Sequence, residues 1–149
     1  MGLSADTIAA SIAALSISGV TTKGLTTLPS AIDPRECPVL APSVNDPPFM
    51  TGLNVTRDSF GGLKTISYTQ NWKLYAAPVG QGRGLLDLYP TLVTKALAVL
   101  DALIANDALS GSIDVNPEDV PQFGGISDPS GNWFHGAVFS IRCVEFSEV

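Results

Sequence analysis

Apolar side chains occupy alternate positions through much of residues 64–75, the most regular pattern in the chain. Such alternation is typical of a β-strand with one buried face. Residues 53–58 form a second strand-like stretch, and turn residues lie between the two, so we predict a long β-hairpin over residues 53–77. A strand of about 12 residues extends roughly 40 Å, so part of the hairpin is expected to project from the domain. The alternating apolar positions are Ile66, Tyr68, Trp72 and Leu74.

Two segments have the apolar spacing of amphipathic helices. Residues 5–16 carry a narrow apolar stripe behind Ser4, a favoured N-cap residue, and Gly19 is expected to end this helix. Residues 87–107 carry a broader apolar face and are predicted to form the main helix. Pro90 belongs in the first turn of that helix, where its missing N–H has no partner to lose.

A proline-rich segment separates the first helix from the hairpin. Six of the 11 prolines lie between Pro29 and Pro48. Because proline cannot donate a hydrogen bond to a neighbouring strand, residues 29–52 are expected to form an extended arm. We predict one edge strand within it, at Val39-Leu40.

The C-terminal part predicts two further strands, at residues 112–115 and 132–146. The second is apolar on both faces, with Trp133 on one and Phe134 on the other, and such a strand needs cover on both. Two helices cannot cover both faces of a whole sheet, so we expect a second subunit to supply the rest. Residues 116–131 lack a helical or strand period and exceed ordinary connection lengths, which predicts a contact loop.

These elements predict a single domain over residues 1–149. A chain of 149 residues is of ordinary size for one domain with its own core. The fold class is α+β: we expect a mixed or antiparallel sheet of about four to five strands with a long hairpin, packed by one long and one short helix.

Composition adds that the chain is apolar and sparing in charge. It is 45% hydrophobic and only 15% charged, compared with roughly 25% charged residues in an average domain. This excludes a disordered polar tail and suggests that part of the apolar surface meets neighbouring subunits. Asp101 interrupts the richest apolar run, residues 96–105, so we expect no membrane association. The N-terminus has no secretory signal pattern, so synthesis in the cytoplasm is expected.

The net charge of −6 is unevenly distributed. Residues 1–100 carry seven basic and six acidic side chains, whereas residues 101–149 carry one basic and eight acidic ones. No basic patch of the kind that binds DNA is visible. An acidic surface could repel passing DNA, meet a basic partner or serve solubility alone. The candidates for this surface are Asp114, Glu118, Asp119 and Asp128.

Few residues are suited to catalysis. His135 is the single histidine, it lies in a predicted strand, and neither G-x-S-x-G nor H-E-x-x-H is present. The acidic stretch at residues 114–119 lacks the glycine that a calcium loop requires. Cys37 and Cys143 are far apart and predict two buried free thiols. We therefore expect no enzymatic activity, cofactor or metal.

A glycine-rich segment leaves one alternative of a different class open. Gly80 to Gly84 lies between a strand and a helix, where backbone N–H groups could cradle a phosphate. It reads G-x-G-x-G, with Leu85 where the dinucleotide fingerprint has its last glycine, and it lacks the G-K-[ST] of a P-loop. A flexible hinge is favoured, and the alternative is a small-ligand or nucleotide-binding α+β domain that uses Gly80–Gly84.

The order of elements resembles the tail terminator (tail completion) proteins of long-tailed bacteriophages. The likeness spans nearly the whole chain and includes the Leu28-Pro29 to Pro38-Val39-Leu40 passage, the hairpin ending in Trp72-Lys73-Leu74-Tyr75, and residues 133–146. The resemblance implies a virion protein without catalytic residues. Such a protein forms a hexameric ring that caps the tail tube, ends tube polymerisation and joins the tail to the head connector, with DNA only passing through its lumen.

In a ring of this kind each subunit makes a heterologous contact with the next, and a projecting hairpin can lie across the adjacent sheet. We predict that residues 49–75 pack against the next subunit, with Phe60 at the hairpin tip as an anchor. Another structural protein of the phage neck or tail is an alternative of the same physical type. The candidate subunit-interface residues are Phe49, Phe60, Leu63, Tyr68, Trp72, Trp133, Phe134 and Phe146.

Overall fold

The described part of the chain folds as two α-helices and a seven-stranded mixed sheet, which confirms the predicted α+β class and adds strands to the four to five expected. A computed structural model describes residues 5–44, 46–57, 63–79, 85–105 and 113–148. The elements are α1 (Ala5–Ala13), β1 (Thr21–Thr22), a 3₁₀ turn (Pro34–Glu36), β2 (Val39–Pro42), β3 (Met50–Arg57), β4 (Leu63–Pro78), α2 (Leu85–Ala105), β5 (Ile113–Pro117), β6 (Gln122–Ser127) and β7 (Trp133–Glu148).

Strands β4 and β7, of 16 residues each, pair antiparallel along almost their whole length and form a central ribbon. At one end of the ladder Leu63 lies opposite Glu148, and we call this the Leu63 end. At the other end Pro78 lies opposite Phe134, and we call this the Pro78 end. β3 and β5 flank the ribbon at the Leu63 end. β2, with β1 beside it, and β6 flank it at the Pro78 end. At about 3.3 Å per residue the ribbon is roughly 50 Å long.

Both helices pack on one face of the ribbon, the helix face, and enclose the main core. α2 buries residues three or four positions apart, the spacing that aligns side chains along one side of a helix. Burying each large apolar side chain contributes about 1.5–3 kcal/mol, so this core is a principal source of stability. The buried residues of α2 are Leu88, Leu92, Ala96, Val99 and Leu103.

The opposite face of the ribbon, the open face, has a smaller core of its own at the Pro78 end. Tyr75 of β4 and Phe134 of β7 pack edge to face there, with ring centroids 5.3 Å apart. Ile32 from the proline-rich arm and Ile126 of β6 pack with them. The expectation that a second subunit must cover this part of the last strand is therefore wrong, because the arm folds back over it.

The predicted hairpin is confirmed as the antiparallel pair of β3 and β4. It is longer than expected, since β3 begins at Met50, inside the segment assigned to the arm, and β4 continues to Pro78. A β-bulge in β3 includes Gly52, whose φ of +67° favours glycine. The predicted turn at residues 59–62 lies outside the described residues.

Residues 116–131 do not form the predicted irregular loop, because β6 lies within them and pairs with β7. Glycine has no side chain to mark a strand face, so Gly124 and Gly125 hide the alternation of β6 in the sequence. β6 forms because its backbone groups pair with those of residues 133–138 in the longer strand β7.

The predicted edge strand is also corrected, because β2 pairs with β4 on one side and with the two-residue β1 on the other. The prolines that suggested an edge lie just before the strand, at Pro38, and at its last position, Pro42. The N–H groups between them, including that of Leu40, remain able to donate to a neighbouring strand.

The helix boundaries differ from the predicted ones by two or three residues. α1 ends at Ala13, where the Thr22 hydroxyl donates to the Ala13 carbonyl oxygen at 2.6 Å and satisfies a helix-end acceptor. α2 begins at Leu85, so Pro90 lies in its second turn and the first-turn prediction is wrong. Pro90 is exposed, so water can bond to the carbonyl group that the missing N–H would have served.

Helix α2 bears on the expectation, drawn from Asp101 in residues 96–105, that the chain has no membrane association. Residues Leu88–Ala105 have a mean hydropathy of 1.5 over 18 residues and are long and apolar enough by length and composition, despite Asp101. In the fold, 28% of these residues are buried. They form the single stripe that packs on the sheet, an arrangement found in core helices of folded domains.

Candidate functional site

Three of the aromatic residues predicted to contact another subunit are buried in the chain's own cores. Tyr68 and Trp72 lie in the main core, and Phe134 lies in the smaller core of the open face. Each is at most 2% exposed, so the prediction is wrong for these three. The alternation along β4 marked a face covered by helices, and the arm provided cover for Phe134 that sequence reasoning did not foresee.

Hydrogen bonds hold the buried side chains of Tyr68 and Trp72 in place. The Trp72 indole N–H donates to Gln70 Oε1 at 3.1 Å, and Gln70 Nε2 donates to the Ala5 carbonyl oxygen at 3.0 Å. The Tyr68 hydroxyl donates to the buried carboxylate of Glu145. Burial, together with the bond to Glu145, raises the pKa of Tyr68 above its usual value. These contacts join α1, β4 and β7 and make this region structural.

The remaining interface candidates divide by exposure. Phe49 is half-buried and packs against Trp72 at 6.3 Å between ring centroids. Trp133 is 59% exposed and Phe146 is 42% exposed, so both are available to a partner. Phe60 and the side chain of Leu63 lie outside the described part of the structure.

β3 is an exposed surface that lies within the predicted contact segment, residues 49–75, although its side chains Leu53 and Val55 were not among the named interface candidates. All of its residues after Met50 are exposed, including the apolar Leu53 at 60% and Val55 at 54%. β3 pairs with β4 through one edge, and over the described residues no strand pairs with its other edge. A strand of this kind is a template for contact with another chain. The strand-like stretch at residues 53–58 was the signal for this strand in the sequence.

Asp128, one of the four acidic-surface candidates, is a turn residue instead of a surface residue. It is 4% exposed. Its carboxylate accepts hydrogen bonds from the backbone N–H groups of Ile32 at 3.0 Å, Ser130 at 3.0 Å and Asn132 at 2.8 Å, and from the Ser130 hydroxyl at 2.7 Å. Sequence alone shows the Asp-Pro-Ser-Gly turn but does not show that the distant arm meets it.

Glu118 and Asp119 are exposed, as predicted, whereas the side chain of Asp114 lies outside the described residues. They form one wall of a groove of about 610 Å³ across the middle of the open face. Asp46 and Pro47 lie on its other side, beyond the ribbon residues Asn71 and Ser140. We call this groove the acidic trough.

The sequence raised two further kinds of site, a metal site and a ligand site at Gly80–Gly84. Within residues 5–44, 46–57, 63–79, 85–105 and 113–148, no group of three or more His, Cys, Asp and Glu side chains could hold a metal ion. The Gly80–Gly84 segment lies outside those ranges. A cavity of about 140 Å³ between α2 and β4 is lined by Leu74, Leu88 and Lys95 among others. Ligand pockets of drug size usually measure about 300–1,000 Å³.

The two thiols should react slowly in the native protein. Burial, followed by the charges of Asp33 and Glu36, raises the pKa of Cys37 to about 11, and burial raises that of Cys143 to about 12. Since the thiolate is the reactive form, about one Cys37 in a thousand is reactive at pH 8. We expect under 0.1 equivalents of thiol to react with Ellman's reagent in minutes at pH 8, and two equivalents in 8 M urea. Rapid native labelling of Cys37 would contradict this assignment.

Comparison of the sequence with protein-family models gives no matching family, and the search of curated proteins gives no match.

Proposed function

We propose that the protein is a structural subunit of a bacteriophage tail that assembles into a ring, caps the tail tube, ends its polymerisation and joins the tail to the head connector. The observation that carries the proposal is the uncovered strand β3 at the Leu63 end, with exposed Leu53 and Val55. The resemblance in element order to tail terminator proteins is the second support for the proposal. A strand that exposes apolar side chains and one edge gains most by packing on another chain.

The shape of the sheet supports contacts that repeat from subunit to subunit. β3 is exposed at the Leu63 end of the ribbon, whereas the helices cover one face of the ribbon and the arm covers the open face at the Pro78 end. The exposed surface at one end therefore differs from the surfaces elsewhere, and a contact between unlike surfaces is heterologous. Heterologous contacts close into rings when the rotation between copies permits it. A hexamer is the ring size that the resemblance implies.

The proposed partners follow from the same role. The ring contacts the tail tube protein on one side and the neck or connector proteins of the head on the other. DNA passes through the lumen without specific binding, and the net charge of −6 is compatible with passage without adhesion. In this proposal the protein is made in the host cytoplasm, ends in the virion, has no catalytic role and needs no cofactor.

Electron microscopy and light scattering of the purified chain test the proposal. Wild-type protein should form rings of uniform size, and Leu53→Asp with Val55→Asp should shift it to monomers while its circular dichroism spectrum is retained. The matched control is Leu97→Asp with Ile104→Asp, two exposed apolar residues of α2, which should leave the rings intact. Monomeric wild-type protein at high concentration would contradict the proposal.

A phage that encodes the chain provides the functional test. Disabling the gene should give tails of uncontrolled length that do not join heads, and supplying the protein should restore tails of normal length. Tails of normal length that fail only at head attachment would favour the alternative of another neck protein. A phosphate or nucleotide that shifts the amide signals of Gly82 and Gly84 in NMR spectra of a monomeric protein would favour the ligand-binding alternative.

A further inference from the structure

Helix α2 carries a second apolar stripe beside the one that packs on the sheet. Each residue of this outer stripe follows a buried residue of α2 by one position, so the two stripes lie about 100° apart around the helix. Its first, middle and last residues are exposed and the two between them are half-buried. The outer stripe consists of Tyr89, Val93, Leu97, Leu100 and Ile104.

The outer stripe continues onto the sheet at the Pro78 end. The ring of Tyr89 packs against Phe123 of β6, with centroids 5.7 Å apart. Phe123 and Gly125 lie on the same side of β6, and the ring of Trp133 lies against Gly125. Phe123 and Trp133 are themselves exposed. We call the outer stripe together with Phe123 and Trp133 the α2 surface.

The spacing of the outer stripe is that of a contact between two helices. From Val93 to Ile104 its residues are separated by four, three and four positions, the repeat by which one helix inserts side chains between those of another. Lys95 and Asp101 lie outside the stripe on the helix circumference. The α2 surface therefore carries no charge of its own, and an identical surface can pack on it without any pairing of opposite charges.

The size of the α2 surface fits a contact between two copies that is weak when formed once. Its five exposed side chains are 36–62% exposed. Because large side chains cover about 150–250 Å² each, the surface offers on the order of 500 Å² per chain, at the upper end for a monomer. Two copies would bury about 1,000 Å² in total, near the lower limit for a specific interface. Several such contacts formed together hold far better than one.

A lipid surface suits these residues less well than a protein surface does. A helix that lies on a membrane usually has a polar side rich in Lys and Arg. Outside its apolar stripes α2 has one cation, Lys95, with the anion Asp101 and the exposed Thr91 and Thr94. The buried stripe also fixes α2 along the sheet.

We propose that the α2 surface of one copy packs on the α2 surface of a second copy through a two-fold contact. A surface that meets an identical surface makes an isologous contact, unlike the heterologous contact assigned to β3 within a ring. The inference rests on the proposed ring in one respect. Since every subunit of a ring offers the same surface, two rings pair face to face and their contacts act together. This pairing covers the apolar surface of a ring that has not yet joined a tail.

Light scattering and electron microscopy of the full-length protein test the pairing. Wild type should have the mass of two rings, and Leu97→Asp with Ile104→Asp should halve that mass while each ring stays closed. The matched control is Thr91→Asp with Thr94→Asp, which adds the same two charges to exposed residues outside the stripe and should keep rings paired. Circular dichroism confirms the fold of each variant. Leu53→Asp with Val55→Asp should remain monomeric at micromolar concentration, because one α2 contact alone is weak.

The possible outcomes separate this inference from the proposed function. Single wild-type rings overturn the pairing and leave the proposed function intact, and so do paired rings that survive Leu97→Asp with Ile104→Asp. Wild-type dimers that this variant converts to monomers support the two-fold contact and overturn the ring. Monomeric wild-type protein overturns both. Single rings that bind phosphatidylcholine vesicles, and lose this binding in the same variant, assign the α2 surface to a membrane and overturn the pairing.

Discussion

Substituting Gly136 with alanine is expected to lower the free energy of unfolding by about 3 kcal/mol. Gly136 lies in β7 opposite Tyr75 of β4, next to the one irregularity in the central ribbon. A Cβ atom at this position would overlap the Leu74 carbonyl oxygen and would come within 2.6 Å of Ile126 Cδ1. Because the first of these atoms belongs to the backbone, β4 and β7 must separate locally, and that strains the ladder on which both cores are built.

A second glycine on the adjacent strand provides the control. At Gly125 of β6, the added Cβ would lie 3.6 Å from Trp133 Cε3, an ordinary contact. Gly125→Ala should therefore change the free energy of unfolding by less than about 1 kcal/mol, and it can even stabilise by restricting the unfolded chain. Urea denaturation followed by circular dichroism measures both variants. Equal stability of Gly136→Ala and wild type would show that the ribbon accommodates the methyl group.

Asp128→Ala is the second large effect, with an expected loss of about 3 kcal/mol. The substitution removes the acceptor of four hydrogen bonds, three of them from backbone N–H groups, and one of these joins Ile32 of the arm to the turn before β7. Buried donors left without an acceptor carry the full cost of their lost hydration. The arm should loosen over the smaller core, which an increase in amide hydrogen exchange at Ile32 would detect.

The same carboxylate gives stability a dependence on acid pH. Burial would raise its pKa, but the bonds from Ser130, Ile32 and Asn132 together outweigh burial and hold the pKa of Asp128 below its usual value. A carboxyl whose pKa is lowered on folding stabilises the protein above its unfolded pKa of about 3.9, and this contribution is lost as the pH falls through the folded value. The stability difference between wild type and Asp128→Asn should be constant above pH 5 and should shrink below pH 4. Asp119→Asn, which alters an exposed carboxyl, is the matched control variant.

Local patterns in the sequence were sufficient to predict the elements whose apolar residues recur at a regular spacing. The alternation around Tyr68 and Trp72 predicted β4, and the apolar spacing of α2 predicted the main helix with an error of two residues at its start. β6 was missed because Gly124 and Gly125 carry no side chain that marks a face. A strand held chiefly by hydrogen bonds to a long neighbour has no signature of its own in the sequence.

Contacts between residues far apart in the sequence determined which candidate site residues are buried. Phe134 was predicted to be uncovered, yet the arm, about 100 positions earlier in the chain, packs over it. Asp128 was predicted to be on the surface for the same reason, since the Ile32 N–H that binds it is 96 residues away. By contrast, Glu118, Asp119, Trp133 and Phe146 are exposed as predicted, because residues near strand ends and in connections are seldom covered.

The central ribbon also sets the order of events in folding. Leu63 pairs with Glu148 and Pro78 pairs with Phe134, so each rung joins residues 56 to 85 positions apart. Folds dominated by such distant pairings form slowly, typically in milliseconds to seconds. During synthesis, at about 5–20 residues per second, β4 is complete several seconds before β7 emerges to pair with it. In the nascent chain Trp72 and Tyr68 therefore lack their final partner strand for this interval. It is the period when the protein depends most on protection from aggregation.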